Sequence, residues 1–236
     1  MRHTAAVIHA DAVLIEDIRR IPYFASLSPE VAGRFAAQLS LQSFAPRELI
    51  VVEGDPCRGF YFLRAGRARI FRTSGDGREQ TFRLAAPGDT FGEVPVFDGG
   101  PNPATVEALE RCEVVLVPRA AFTAIAEEVP EVSLALLKHF ARRIRSFTEL
   151  VEQLSLQTVQ NRIARYIYFL VREEGSVTPE GISVPRVITI QDLSTVVGSV
   201  REVVSRTLRV LEEDGILEVR RREIVVRDLD ALARML

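Results

Sequence analysis

The segment REVVSR, residues 201–206, holds the side chains of this chain that are best suited to chemistry. Its polar members are Arg201, Glu202, Ser205 and Arg206. At 3.6 residues per turn they share the outer face of an α-helix. Arginine can form two parallel hydrogen bonds with guanine, and glutamate can accept one from cytosine. The spacing therefore predicts a helix that can read the major groove of DNA.

Two helices joined by a glycine turn would position this face. The first is expected to begin at Thr189, with Asp192 three residues later as in a capping box. Gly198 supplies the positive φ that the turn needs. The residues predicted to be buried on the first helix are Leu193, Val196 and Val197. Together these signals are typical of a helix-turn-helix.

The second helix is predicted to be capped by Ser199, with Glu202 at the capping-box position. Its inward residues are predicted to be Val200, Val203, Val204, Leu208 and Leu211, with Arg209 joining the outer face. The candidates for phosphate contact are Gln191, Ser199, Arg209 and Arg221. An ordinary amphipathic helix with a solvated charged face is the alternative interpretation.

The residues after the second helix favour the DNA interpretation. Gly215 stands where a helix commonly ends in a left-handed residue. The stretch ILEVRRREIVVRDL then predicts a tight β-hairpin with Arg220, Arg221 and Arg222 at its turn. A helix-turn-helix followed by a basic hairpin is a winged helix, and its arginines would suit phosphate contact. The same arginines could also serve solubility alone.

Composition narrows the class of protein. The 236 residues are 47% hydrophobic, enough for two separate cores. The sequence contains no apolar run of membrane-spanning length and no signal-peptide pattern, so we predict a cytoplasmic protein without membrane contact. The net charge is −2, and residues 160–236 contain 12 Arg against 12 Asp or Glu. Any affinity for phosphate must therefore come from the local placement of arginines.

The first half of the chain has a different pattern. From about residue 44 to 117, short β-rich runs alternate with glycine turns, which predicts a small sandwich or barrel. A helix capped by Ser28, with Pro29 at its first position, precedes these strands. Residues 1–15 show no packing pattern, and we predict a mobile arm there.

A long helical segment beginning at Pro130 links the halves. Its apolar residues at spacings of 4-3-4-3 are Phe140, Ile144, Phe147, Val151 and Leu154. Such a seam could pack on the chain's own β-domain, but its length favours a parallel homodimer. A dimer would place two reading helices in successive major grooves about 34 Å apart.

This arrangement resembles the CRP/FNR family of bacterial transcription regulators over about residues 20–230. The most specific matches are APGDTFGE at 86–93, LSLQTVQNRIARYI at 154–167 and VGSVREVVSRTLRVLEEDGIL at 197–217. The resemblance implies an α+β protein with an antiparallel β-roll of the jelly-roll, cyclic-nucleotide-binding type. It also implies segments at 1–129 (sensor), 130–159 (dimerisation) and 160–236 (winged helix), with a hinge near Gln160.

The resemblance implies which residues read DNA. Arg201, Glu202 and Arg206 match the base-reading positions of the CRP branch, and Ser205 matches one of the FNR branch. We therefore predict a palindrome with TGTGA-like half-sites, and TTGAT-like half-sites as the second choice. The loop from Ser176 to Ser183 matches a surface that contacts RNA polymerase in the family, which favours an activator.

The effector is where the chain departs from the family. The pocket residues that the resemblance implies are Gly92, Glu93, Ala104, Thr105, Phe147 and Thr148. Nucleotide-binding members carry Arg-Ser where Pro103 and Ala104 stand here, so a cyclic phosphate would lose its charged partner. Backbone N–H groups after Pro103 could still hold an anion if they open a helix. Because Phe147 would also fill the adenine space, the sequence argues against cAMP.

Other family sensors are also disfavoured. Two separated cysteines, Cys57 and Cys112, cannot supply the four ligands of an iron–sulfur cluster. Haem would need an axial ligand such as His3, His9 or His139, and a haem-based gas sensor is kept as an alternative. A regulator that needs no effector is the third option. If an effector exists, helix 130–158 with its hinge is the element that could couple pocket and reader.

A function from another class is a β-roll interaction protein that does not bind DNA. The sequence carries no phosphate-binding glycine loop with lysine, no nucleophile motif and no histidine cluster, and Glu93 alone is not an acid–base pair. We therefore predict that the chain is not an enzyme and binds no metal.

Overall fold

The computed structural model describes residues 6–8, 15–186 and 188–236. The chain packs as two units: unit 1 contains 1–72 and 82–147, and unit 2 contains 73–81 and 148–236. His3, His9 and most of the predicted arm lie outside the described residues. The prediction of a mobile arm is wrong for residues 6–8, because strand β1 (Ala6–Ile8) pairs antiparallel with β2 (Ser40–Phe44).

Unit 1 is built around two sheets. The remaining strands are β3 (Leu49–Val51), β4 (Gly59–Ala65), β5 (Ala68–Thr73), β6 (Glu79–Ala85), β7 (Thr90–Phe91), β8 (Thr105–Ala108) and β9 (Cys112–Pro118). The sheet orders are β1-β2-β9-β4-β7 and β3-β8-β5-β6. This is the β-rich first half that the turn spacing predicted, and the α+β fold class is confirmed.

Among its described residues, unit 1 also contains the helices α1 (Ile15–Arg20), α2 (Pro29–Ala36), α3 (Val94–Asp98), α4 (Arg119–Glu128) and α5 (Pro130–Leu156), which continues into unit 2. Ser28 caps α2 as predicted, accepting from the backbone N–H of Val31. Strand β4 is buried on both faces. Phe60 and Phe62 pack in a core with the helices, whereas Tyr61 and Leu63 pack in a second core.

Unit 2 contains α6 (Val159–Glu174), α7 (Ile190–Val196), α8 (Arg201–Glu213) and α9 (Leu229–Ala233). Its sheet has the order β10-β11-β13-β12, from β10 (Ser176–Thr178), β11 (Gly181–Pro185), β12 (Leu217–Val219) and β13 (Glu223–Val226). The helix-turn-helix and the wing hairpin are therefore present as predicted.

One guanidinium joins the end of α5 to the start of α6. Nη1 of Arg162 lies within hydrogen-bonding distance of the carbonyl oxygens of Gln153 (3.2 Å), Leu154 (3.3 Å) and Gln157 (2.9 Å). Thr158 caps α6 by accepting from Asn161 N–H. The break falls at residues 157–158, so Gln160, the predicted hinge, already lies in the first turn of α6. The division at 129/130 and 159/160 stays a prediction.

No helix within the described ranges is both long enough and apolar enough to cross a membrane.

Candidate nucleic-acid interface and effector site

The start of α7 forms a complete capping box. Thr189 Oγ1 accepts from the backbone N–H of Asp192 at 3.1 Å, and Asp192 Oδ2 accepts from the backbone N–H of Thr189 at 3.1 Å. Two orphan N–H groups at the helix start are thereby satisfied, which fixes where α7 begins. Leu193 and Val197 are buried as predicted, and Val196 is half-buried.

The turn after α7 requires its glycine for two reasons. Gly198 has φ +62, and a Cβ there would lie 2.6 Å from Leu154 Cδ2 and 2.8 Å from Gln80 Oε1. Gln80 belongs to the segment 73–81, whose Thr81 hydroxyl lies 2.7 Å from the Thr195 hydroxyl. The turn therefore contacts other parts of unit 2 on one side, while Gly198 itself stays exposed.

Gly198→Ala should destabilise the protein more than Gly215→Ala. Both glycines have positive φ, so both substitutions impose a backbone strain of roughly 1–2 kcal/mol. A Cβ at Gly215 meets nothing within 4 Å, whereas at Gly198 it displaces Leu154 and Gln80. Urea unfolding of the two variants measures the difference. Equal destabilisation of the two variants would show that the contacts of Leu154 and Gln80 with the turn contribute nothing to stability.

The predicted cap of the second helix is wrong. Helix α8 begins at Arg201 with Val200 as its N-cap, which offers no side-chain hydrogen bond. The Ser199 N–H instead bonds to the Ser194 carbonyl at 2.9 Å within the turn, which shifts the helix start by one residue. Glu202 is therefore not at the capping-box position, and Val200 is 51% exposed rather than inward.

Helix α8 separates its two faces as the reading model requires. Val204, Leu208 and Leu211 are buried, and Val203 is half-buried. The exposed residues include Arg201, Glu202, Arg206 and Arg209, while Ser205 is half-buried. Of the other candidates for phosphate contact, Gln191 and Arg221 are exposed and Ser199 is half-buried.

The three arginines of the wing turn have different surroundings. Arg220 donates from Nε to Glu218 (2.8 Å) and from Nη1 to Glu223 (3.1 Å), and it also pairs with Glu180. Hydrogen bonds from Arg220 and Arg227 lower the pKa of Glu218 to about 2. The guanidinium of Arg220 therefore holds the hairpin together, and its contact with phosphate stays a prediction. Arg221 and Arg222 are exposed.

The effector site of unit 1 keeps its glycine and glutamate but not an anion cradle. Gly92 has φ +82, and Glu93 is 8% exposed. After Pro103 the chain bends directly into β8, so the backbone N–H groups there do not open a helix. Thr105 Oγ1 accepts from the backbone N–H of Glu53 at 3.1 Å, and Ala104 is half-buried. Phe147 lies against Phe82, with ring centroids 6.3 Å apart, and Thr148 is exposed.

Two arginines near Glu93 are already engaged. Arg83 pairs with Asp89 (Nη1 to Oδ2, 3.1 Å) and donates to the Thr90 carbonyl at 2.7 Å. Burial and the charge of Arg143 lower the pKa of Arg83 to about 10. Arg143 donates from Nε to His139 Nε2 at 3.3 Å and approaches the Thr90 carbonyl at 3.3 Å. Sequence reasoning missed this cluster, because its members come from separate elements.

The histidine of this cluster is held neutral. Burial, and then the charges of Arg143, Arg142 and Arg83, lower the pKa of His139 to about 4, against the opposing charge of Asp89. Its Nε2 already accepts a hydrogen bond, so a haem iron would have to displace Arg143 to bind there.

Acidification should therefore cost stability through His139. Its folded pKa of about 4 lies below the unfolded value of 6.5, so the unfolded state binds more protons between these values. The contribution is present above pH 6.5 and is lost as the pH falls toward 4. The free energy of unfolding of wild type, measured in urea from pH 7 to 4.5, should fall more steeply than that of His139→Gln. Parallel curves would contradict the assignment.

Neither cysteine looks like a redox site. Cys112 is buried, and burial raises its pKa to about 11. Cys57 is half-buried, with its Sγ 3.8 Å from the Gly59 carbonyl oxygen. Among the described residues, no group of three or more His, Cys, Asp or Glu side chains could hold a metal ion.

An apolar stripe runs along α5. Ile144, Phe147 and Val151 are 66%, 52% and 63% exposed. Leu137, which the predicted seam did not include, is 64% exposed. Phe140 is instead half-buried against the core of unit 1, with its ring 5.6 Å from that of Phe97. Leu154 is half-buried near Gly198. An exposed apolar stripe on a long helix is typical of a protein interface.

Two protein-domain families match this chain, one in each half. Residues 41–129 match the cyclic nucleotide-binding domain, and residues 161–235 match the Crp-like helix-turn-helix domain. The chain belongs to the CRP/FNR family of DNA-binding transcription regulators.

Its relatives are regulators of this type. The chain is 30% identical to the cAMP-activated global transcriptional regulator Vfr of Pseudomonas aeruginosa, over 82% of this chain and 92% of Vfr. It is 26% identical to the CRP-like cAMP-activated global transcriptional regulator of Mycobacterium tuberculosis, over 93% and 98%. Among solved structures, FixK2 from Bradyrhizobium japonicum superimposes with a TM-score of 0.72 at 26% identity, covering 84% of this chain and 96% of FixK2.

Proposed function

We propose that the protein is a homodimeric regulator that reads a palindromic operator with TGTGA-like half-sites. The observation that carries this proposal is the exposure of Arg201, Glu202 and Arg206 on α8, opposite a buried apolar face. Each arginine would bind O6 and N7 of a guanine, and Glu202 would accept from a cytosine amine. Arg209, Gln191 and Arg221 would contact phosphates and fix the register.

The dimer would form along the exposed stripe of α5. Burial of Leu137, Ile144, Phe147 and Val151 against a second copy would remove these side chains from water. Two copies related by a two-fold axis match the symmetry of a palindrome. The hairpin of β10 and β11, which contains the loop 176–183, would contact RNA polymerase and make the protein an activator.

Control would come from an effector other than cAMP, or from none. Two of the relatives above are named as cAMP-activated. In this chain Pro103 and Ala104 offer no charge to a cyclic phosphate, and Arg83 and Arg143 are engaged by neighbouring groups. The hydrogen bond at His139 Nε2 argues against haem at this histidine.

Binding-site selection from random duplex DNA tests the proposal. The purified, ligand-free protein is expected to enrich a palindrome with a TGTGA-like half-site, or a TTGAT-like one if Ser205 reads in place of Arg201. Enrichment that occurred only when cAMP was added would refute the effector proposal. A selection that enriched a palindrome without guanine would refute the reading model, whereas no enrichment without ligand would show that an effector is required.

A further inference from the structure

Two polar side chains of unit 1, those of Arg143 and Glu93, approach the imidazole of the buried His139. His139 and Arg143 lie one turn apart on α5, and Glu93 immediately precedes α3. Arg143 Nε donates to His139 Nε2 at 3.3 Å, and Glu93 Oε1 lies 3.7 Å from the same nitrogen. His139 and Glu93 are each 8% exposed. Both neighbours therefore compete for a single ring nitrogen.

That nitrogen can serve only one neighbour at a time. To accept from Arg143, Nε2 must be unprotonated, so a neutral His139 carries its proton on Nδ1. It then has no proton to offer Glu93. Glu93 Oε1 is indeed buried without a hydrogen bond from any described residue. A buried polar atom left unsatisfied costs roughly 1–3 kcal/mol, which favours a competing arrangement.

The other neutral tautomer provides that arrangement. With its proton on Nε2, His139 would donate to Glu93, and Arg143 would have to leave this nitrogen. Arg143 would keep the Thr90 carbonyl (3.3 Å) and Asp89 Oδ1 (3.5 Å) as partners. The other groups facing the ring are Arg142 on α5, Arg83 on β6 and the ring edge of Tyr23.

We infer that His139 is a two-state positioning residue, whose Nε2 binds either Arg143 on the long helix or Glu93 at the effector site. Its role in regulation rests on the proposed function. A ligand group that donates a hydrogen bond to Glu93, such as a hydroxyl or an amine, satisfies the carboxylate and leaves Nε2 to Arg143. Loss of Arg143 from Nε2 favours the second tautomer, in which His139 donates to Glu93. A ligand bound at Glu93 would thereby determine whether Arg143 of α5 keeps its contact with Nε2.

Charge does not change in this switch. In the arrangement with Arg143 at Nε2, burial and the neighbouring arginines lower the pKa of His139 to about 4, so the ring is neutral at pH 7. The relay therefore works by proton placement within the ring and not by proton uptake.

Nuclear magnetic resonance of the free protein, labelled with ¹⁵N at histidine, tests the inference without DNA. The His139 signals are identified by their loss in His139→Gln. Wild type at pH 7 is expected to show the Nδ1–H tautomer. Arg143→Met, or Arg143→Ala if the first variant does not fold, is expected to show the Nε2–H tautomer.

Two further variants isolate the partners. Arg142→Met removes a neighbouring charge but not the hydrogen bond, so it should keep the Nδ1–H tautomer. In Arg143→Met, Glu93 should raise the pKa of His139, and adding Glu93→Leu should cancel that rise. The inference is overturned if wild type shows Nε2–H, if Arg143→Met keeps Nδ1–H, or if Glu93→Leu leaves the titration unchanged. None of these results depends on operator binding. They therefore distinguish failure of this inference from failure of the proposed function.

Discussion

Phe147→Asp is expected to convert the proposed dimer into a monomer and to abolish specific operator binding. Phe147 is 52% exposed on the apolar stripe of α5, and the dimer would bury it. An aspartate buried there without a partner costs far more than the lost apolar contact. Because one copy can hold only one half-site, affinity should fall about 10³-fold or more, toward the non-specific level.

Sedimentation equilibrium and gel shift with the selected operator measure the two effects together. Because Phe147 also contacts Phe82, Val151→Asp provides a second variant on the same stripe. Arg145→Asp is the matched control, since it places an aspartate at an exposed position of α5 off the stripe. A dimeric Val151→Asp that still binds its operator would overturn the proposed interface.

Arg201→Ala is expected to weaken operator binding by about 1–3 kcal/mol per half-site, a factor of roughly 5–150, and to relax the preference at one guanine. The side chain is exposed in the first turn of α8, and alanine would remove the two hydrogen bonds that it is proposed to make with guanine. Binding to four operators, each with a different base at the guanine position proposed for Arg201, measures the base preference directly.

Arg209→Ala is the control for a phosphate contact. It should weaken binding to every operator by a similar factor and reduce the dependence on salt, without changing the preferred base. If Arg201→Ala behaved in the same way, Arg201 would be a phosphate contact and the predicted half-site would be wrong.

Local signals explain what could be predicted from the sequence. The capping box at Thr189 and Asp192, the left-handed Gly198 and Gly215, and the wing hairpin all depend on residues close together in the chain. Periodicity identified the buried face of α8 for the same reason. The helix-turn-helix, the wing and the family were therefore predictable.

Contacts between distant segments explain what could not. The Ser199 cap is the exception, since it was wrong for a local reason: the Ser199 N–H bonds to the Ser194 carbonyl within the turn, and α8 begins one residue later. Arg220 has a structural role because Glu180, far from it in sequence, lies beside it. Burial of β4 on both faces could not be predicted, because each face is covered by a separate core. The cluster at His139 combines residues from α5, β6 and the start of α3.

The three carbonyls at Arg162 Nη1 have a mechanical consequence. Helix ends leave carbonyl oxygens without intrahelical partners, and one guanidinium of α6 contacts the carbonyl oxygens of Gln153, Leu154 and Gln157 at the end of α5 and just after it. Bending at residues 157–158 would disrupt this whole set together, so we expect the joint to be stiff and to yield in one step. The C-terminal end of α5 and the whole of α6 should then move together as one rigid body. We expect any bending of this segment to occur before Gln153.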